Sequence, residues 1–217
     1  MVVHVVYNTR AENISTAQIK SQIAVLNKDF RATNSDKSKV PNIWKGLVTD
    51  VRVQFALATT DPTGKSTSGI TRTENNTYLI WYRRHSKVIS KRWSRSMAPS
   101  DRYLNLWVCT LGGGLLGYAQ FPGGPLSRLA VSVILNTAFG TEGSATAPFN
   151  LGRTATHEIG HWLNLRHIWG TLRTAAAAIL PLIRQTPRGQ TMVNRPSAHL
   201  LQQRSERRHV HELYGLR

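Results

Sequence analysis

The eleven-residue run His157-Glu158-Ile159-Gly160-His161-Trp162-Leu163-Asn164-Leu165-Arg166-His167 sets three imidazoles and one carboxylate at the spacing of a catalytic zinc site. On a helix, His157 and His161 emerge from one face a turn apart and can grip one ion. Glu158 points about a third of a turn away, from where it can reach a water beside the metal without ligating it. Six further helical residues would swing His167 roughly 240° from His161 and carry it ~9 Å along the axis, so the helix must end between them. Asn164 is the expected hinge, because after Gly it is the residue that takes a left-handed conformation at least cost. Three neutral imidazoles leave a tetrahedral zinc one open position, the arrangement of a hydrolytic site and not of a closed structural one. His157, His161 and His167 are therefore the candidate ligands of one catalytic zinc, and Glu158 is the candidate general base.

Chance is a weak competitor. At this chain's own His and Glu content, a random His-Glu-x-x-His arises in about one such chain in a hundred, and the third His makes it far rarer. A surface helix that merely carries histidines also fits poorly, because Ile159, Trp162, Leu163 and Leu165 predict a largely buried helix.

The elements that must hold this run read as mixed α/β structure. Met1 to Tyr7 is β-branched and short enough for a buried strand. No basic leader or apolar signal region precedes it, so the start reads as truncated. Ser15 to Phe30 predicts an amphipathic helix, with a capping box from Ser15 and Gln18 and an apolar stripe of Ile19, Ile23, Leu26 and Phe30. Val51 to Leu57 and Tyr103 to Val108 alternate as half-buried strands, and Asp61-Pro62-Thr63-Gly64 marks a turn. The glycines Gly112, Gly113, Gly114 and Gly117 precede no helix, so they do not form a phosphate-cradling loop. Leu115 to Phe121 reads as one more short strand, in which Gly117 permits close approach of another backbone or marks a kink in a core strand.

The zinc run, with Asn150-Leu151-Gly152-Arg153-Thr154-Ala155-Thr156 before it and Ile168-Trp169-Gly170 after it, closely resembles the metzincin metalloendopeptidases, and within them bacterial pappalysins. The likeness extends to Tyr103–Cys109, Leu111–Gly124 and Val133–Gly140. It implies an α/β (α+β) zincin fold: a twisted, mostly parallel sheet with an antiparallel edge strand, a backing helix and an active-site helix, all within residues 1–170. It further implies a secreted endopeptidase acting on a protein or peptide substrate, with His157, His161 and His167 on Zn2+ and Glu158 as base. The edge strand of such enzymes binds substrate by strand addition, which makes Leu116, Gly117 and Tyr118 candidates for the cleft rim. Ca2+ is implied by the resemblance alone, since no acidic cluster supports it. Asn164 stands where metzincins usually have Gly. Their downstream Met turn has no match either, because Met192 in Gln190-Thr191-Met192-Val193-Asn194-Arg195 lacks its surroundings.

The net charge of +17 would point to nucleic acid if it were evenly spread. It is not: residues 75–100 hold six Lys and Arg against no acid, and residues 171–217 hold eight Arg against two acids. The likeness fails in the same two segments, and beyond residue 170 every basic residue is Arg. Two readings follow, a solvated and disordered basic tail or a shifted reading frame, and recurrence of the change at 75–100 favours the second. The competing functional class is an inactive remnant of such a protease that binds polyanions through these segments. Specific nucleic-acid recognition is not expected. Nor is a membrane span, since the longest apolar run, Ala175 to Ile183, is short and holds Pro181. Cys109 stands alone, and the oligomeric state leaves no mark in the sequence.

Because the charge and the zinc run occupy different segments, deleting residues 171–217 is expected to remove most salt-sensitive retention on heparin while leaving zinc affinity comparatively intact. The elution salt concentration and zinc titration of the two proteins check this, and unchanged heparin retention would locate the polyanion-binding surface elsewhere.

Overall fold

Runs such as Val2-Val3-His4-Val5-Val6 carry apolar side chains toward both faces of a strand, and such strands are stable only with both faces covered. The computed structural model describes residues 1–74, 99–122 and 131–167. The first of two compact units holds Met1–Asn164 and contains the strands β1 (Val2–Tyr7), β2 (Ile70–Glu74), β3 (Asn105–Cys109), β4 (Gly117–Ala119) and β5 (Val131–Leu135). They form one sheet in the order β2-β1-β3-β5-β4. β1 lies parallel to β2 and β3, β3 lies parallel to β5, and β4 closes one edge antiparallel to β5. The expected mostly parallel sheet with an antiparallel edge is therefore present, with β4 shorter than the segment read as a strand.

Helix α1 (Thr16–Phe30) backs the sheet, and Ser15 caps it by accepting a hydrogen bond from the Gln18 N–H at 3.0 Å. A 3-10 turn (Ser35–Lys39) and the short helix α2 (Asn42–Lys45) follow. Helix α3 (Arg153–Trp162) carries most of the zinc run. Val3, Val5, Leu106, Val108 and Ile134 on one sheet face join Ile19, Leu26 and Phe30 of α1 and Ala155 and Ile159 of α3 in a single core. On the other face Val6, Trp107, Cys109 and Val133 form a second cluster. The lone Cys109 is a buried core residue there, its thiol pushed up to about 12 by burial first and the Glu12 charge second. Among the described residues no helix is long and apolar enough to cross a membrane.

Three expectations change. Residues 51–58 form no strand, Arg52 being left-handed at φ 58°, and the one bridge nearby lies further on at Thr60. The side chain of Asn27 donates to the Phe55 carbonyl at 3.0 Å and accepts from its N–H at 2.7 Å, so α1 satisfies the backbone that a neighbouring strand would have taken. β3 is buried along its whole length, not half-buried: on the face that the alternation assigned to water, Trp107 and Cys109 join the second cluster and His4 of β1 stacks beside Trp107 at 4.2 Å. The zinc run is only partly buried: Leu163 and Leu165 lie beyond the helix end and are exposed. The basic segments 75–98 and 168–217, with Met192, lie outside the described residues.

Among the described residues, His4 is the one imidazole inside the sheet. Its Nδ1 pairs with Thr71 Oγ1 at 2.8 Å and its Nε2 with Asn105 Oδ1 at 2.9 Å, tying β1 to both neighbours. Desolvation lowers its pKa, and the Asn105 hydrogen bond only partly opposes this. The unfolded chain, titrating near 6.5, therefore takes up the proton first as pH falls. His4 favours folding fully above about pH 6.5 and loses that contribution progressively below it. The urea midpoint is expected to fall more between about pH 7 and pH 5.5 in the parent protein than in His4→Gln. An identical pH dependence in both would show that His4 is not the group responsible.

Candidate active site

The segment between β5 and α3 contains only a 3-10 turn (Asn136–Ala138), so its backbone polar groups need partners from elsewhere. Two buried glutamines on α1 supply them. Gln18 Nε2 donates to the Phe139 carbonyl at 2.8 Å and the Asn136 carbonyl at 3.1 Å, and its Oε1 accepts from the Ser144 N–H at 3.0 Å. Gln22 accepts from the Gly140 N–H at 2.7 Å and donates to the Gly152 carbonyl at 2.9 Å. Gly152 enters α3 at φ 70°, and a Cβ there would stand 3.0 Å from the Gln22 amide, so the residue suits glycine on both counts. The first turn of α3 is then tied to Asp29 of α1. Arg153 bridges Asp29 at 2.5 Å and Asp36 at 2.6 Å, while the Thr156 hydroxyl donates to Asp29 at 2.6 Å. Burial pushes the Asp29 carboxyl above its usual range despite the Thr156 hydrogen bond and the Arg153 charge.

With Ala155 and Ile159 turned into the core, the i and i+4 positions His157 and His161 share another face of α3. Their rings meet edge to face, centroids 4.5 Å apart and planes at 83°. Leu163 and Asn164 donate their N–H groups to Ile159 and His161 at 2.9 Å each, and Asn164 then adopts φ 71°. The hinge expected from the sequence thus closes the helix with a left-handed asparagine. One ligand atom from each of His157, His161 and His167 lies within 4.8 Å of the others.

That donor set fits zinc. Zinc–nitrogen bonds of about 2.0–2.1 Å put the nitrogens of a tetrahedral site about 3.4 Å apart, a contraction within reach of small side-chain rotations. Three imidazoles with a fourth position left over suit zinc better than the oxygen-seeking magnesium or calcium. Glu158, 6% exposed, points from the same turn, and burial alone pushes its carboxyl up to about 8. A dication beside it would reverse that shift and favour the carboxylate.

Of the three residues read as a cleft rim, β4 brings Gly117 to this helix. Leu116 accepts a hydrogen bond from the Leu135 N–H at 2.8 Å, Gly117 pairs with Ile134, and Tyr118 pairs with Val133. Tyr118 turns to the opposite sheet face, packing on the Trp107 cluster with its hydroxyl pushed upward by burial. Gly117 faces α3. Phe121, two residues beyond β4, sets its ring 5.1 Å from that of His161. The residues that sequence reasoning missed are Gln18, Gln22 and Asp29. Their signal was a polar stripe at helical spacing beside the apolar one on α1, where a helix read only as scaffold should have had solvent-facing residues.

No protein-family model matches the chain. It is 47% identical to mature mirolysin of Tannerella forsythia, solved in complex with a cleaved peptide, with a TM-score of 0.72 over 79% of this chain and 64% of that one. The mixed sheet and its helices are the mirolysin fold. Extracellular metalloproteases of Pyricularia oryzae and Verticillium alfalfae are 30% and 34% identical over 76% and 71% of this chain. The chain spans about half the length of these two relatives, 48% and 44%. Over the matched residues it is a homologue of metalloproteases, a class that requires a metal ion, usually zinc.

Replacing Gln22 by Leu keeps the volume but strands the Gly140 N–H and the Gly152 carbonyl inside the protein. Unsatisfied buried groups cost ~1–3 kcal/mol each, so Gln22→Leu is expected to lose about 2–4 kcal/mol in urea unfolding. A loss below about 0.5 kcal/mol, the scale of an ordinary surface substitution, would show that the loop does not depend on this side chain.

Proposed function

We propose that this chain supplies the metal-binding half of a secreted zinc metalloendopeptidase of the metzincin, pappalysin-like kind. The observation that carries the proposal is the convergence of the His157, His161 and His167 nitrogens within 4.8 Å, on a helix end whose buried carboxylate is Glu158. The 47% identity to mirolysin supports the peptide-bond chemistry, and the extracellular relatives support secretion.

In this reading the three histidines hold one zinc ion, which when bound supplies Lewis acidity toward water and the scissile carbonyl. Glu158 does the proton work. Its buried carboxylate accepts a proton from the attacking water and delivers it to the departing amine, so one group serves as base and then acid. Burial excludes bulk water from that exchange and strengthens every charge interaction made there. The substrate lies along the free edge of β4 as an added strand, with Leu116, Gly117 and Tyr118 contributing the rim.

The test separates binding from chemistry. Purified protein is expected to hold one equivalent of zinc, His161→Ala to lose it, and Glu158→Gln to retain it. Peptide cleavage by the whole protease is expected to fall at least 100-fold in Glu158→Gln, the scale of a lost general base. Unchanged zinc in His161→Ala would overturn the ligand assignment, and full cleavage by Glu158→Gln would overturn the role of the carboxylate.

A further inference from the structure

A side chain at position 117 would have nowhere to go. A Cβ there would stand 2.9 Å from the Val133 carbonyl oxygen, 3.0 Å from Glu158 Cγ and 3.2 Å from Ile134 Cδ1. The first neighbour is backbone and the second is the stem of a buried carboxylate, so neither yields without moving β4 or Glu158. The backbone of Gly117 is not left-handed, which means the residue is demanded by the close approach and not by its φ. Four residues on, Phe121 lays its ring against His161, which is itself edge-on to His157. The same short stretch therefore meets α3 twice, once at the candidate base and once at a candidate ligand.

We propose that Gly117–Phe121 is a positioning strap on α3: the missing side chain of Gly117 seats the stem of Glu158, and the Phe121 ring holds the imidazole of His161. The inference rests on the zinc-protease reading of those two residues, although the packing it describes does not. Neither strap residue touches the reacting atoms. Gly117 fixes where the carboxylate sits, and Phe121 fixes the ring orientation in which a nitrogen is presented. Orientation of a ligand by its neighbours is worth about 10- to 100-fold in metal affinity.

The two contacts predict opposite readouts. Phe121→Ala and Phe121→Leu are expected to weaken zinc binding about tenfold or more in chelator competition, with Phe121→Tyr, which keeps the ring, restoring it. Gly117→Ala is expected to leave zinc affinity near the parent value. It should weaken binding of acetohydroxamate to the zinc-loaded protein about tenfold, because that probe needs both the metal and a correctly placed carboxylate. In the whole protease it should lower kcat more than it raises KM. Gly112→Ala, where an added Cβ meets nothing within 4 Å, is the control for both.

Urea unfolding of the metal-free protein tests the packing without any reference to activity. Gly117→Ala should lower the midpoint, and removing the Glu158 stem in Gly117→Ala/Glu158→Ala should recover the part of that loss due to the Glu158 contact, the Val133 carbonyl contact remaining. If Gly117→Ala alone does not fold, recovery of folding in the double variant is the same result. A double variant no better than Gly117→Ala, or Phe121→Leu with parental zinc affinity, would overturn the strap. A Glu158→Gln protein that still cleaves peptide would instead overturn the base assignment while leaving the coupling intact.

Discussion

The placement of the zinc run depends on two amide side chains buried under α1. Between the end of β5 and the start of α3 the chain crosses from sheet to helix with almost no regular hydrogen bonding of its own. Gln18 and Gln22 replace that missing ladder by pairing with backbone groups at both ends of the crossing, from Asn136 to Gly152. An amide can donate and accept at once, so each glutamine satisfies groups of both kinds without bringing a charge into the core. A carboxylate or an apolar residue at either position would leave part of the set unpaired at low dielectric. The backing helix thus acts on α3 partly through a polar network, and the shared apolar core of Ile19, Leu26 and Ile159 adds the non-directional part.

The direction of α3 is fixed a second time by charge. Asp29 stands seven residues after Gln22 on the same helix and gathers Arg153 and Thr156 from the first turn of α3. Its carboxyl is largely desolvated, with side-chain exposure of 6%, so its hydrogen bonds are worth more than those of a surface ion pair such as Arg31–Asp50. Apolar packing alone would let a ten-residue helix slide along its groove. Amide and carboxylate contacts at its entry do not, because their geometry is directional.

At the other end, the sheet edge meets the helix through a position that carries no side chain. β4 is antiparallel to β5 and contributes only three residues to the sheet, so its distance from α3 is set by what lies between them. With Gly117 that space holds the stem of Glu158, with the Val133 carbonyl and the tip of Ile134 beside it. The carboxylate is consequently enclosed by strand on one side and core on the other, which is the source of its raised pKa. Burial, helix direction and strand spacing converge on this one residue.

Much of the site was legible in the sequence because its information is local. The His157–His161 spacing is a statement about helix pitch, and the need for a break before His167 follows from the same pitch; Asn164 at φ 71° supplies it. The capped α1 and the apolar β1 are likewise patterns of neighbouring residues. What failed were inferences about which partner a segment meets. Alternation in Val51–Leu57 is compatible with a strand, but its backbone is met piecemeal, Phe55 by the Asn27 side chain and Ala56 and Ala58 by Met1, and no regular ladder forms. Alternation in β3 could not reveal that its second face is buried as well, nor could a polar residue on α1 declare itself buried. Hydrophobic periodicity reports how a segment could bury one face, whereas the hydrogen-bond partner of a buried amide and the space available to a glycine are set by residues distant in the chain, and tertiary structure alone brings those together.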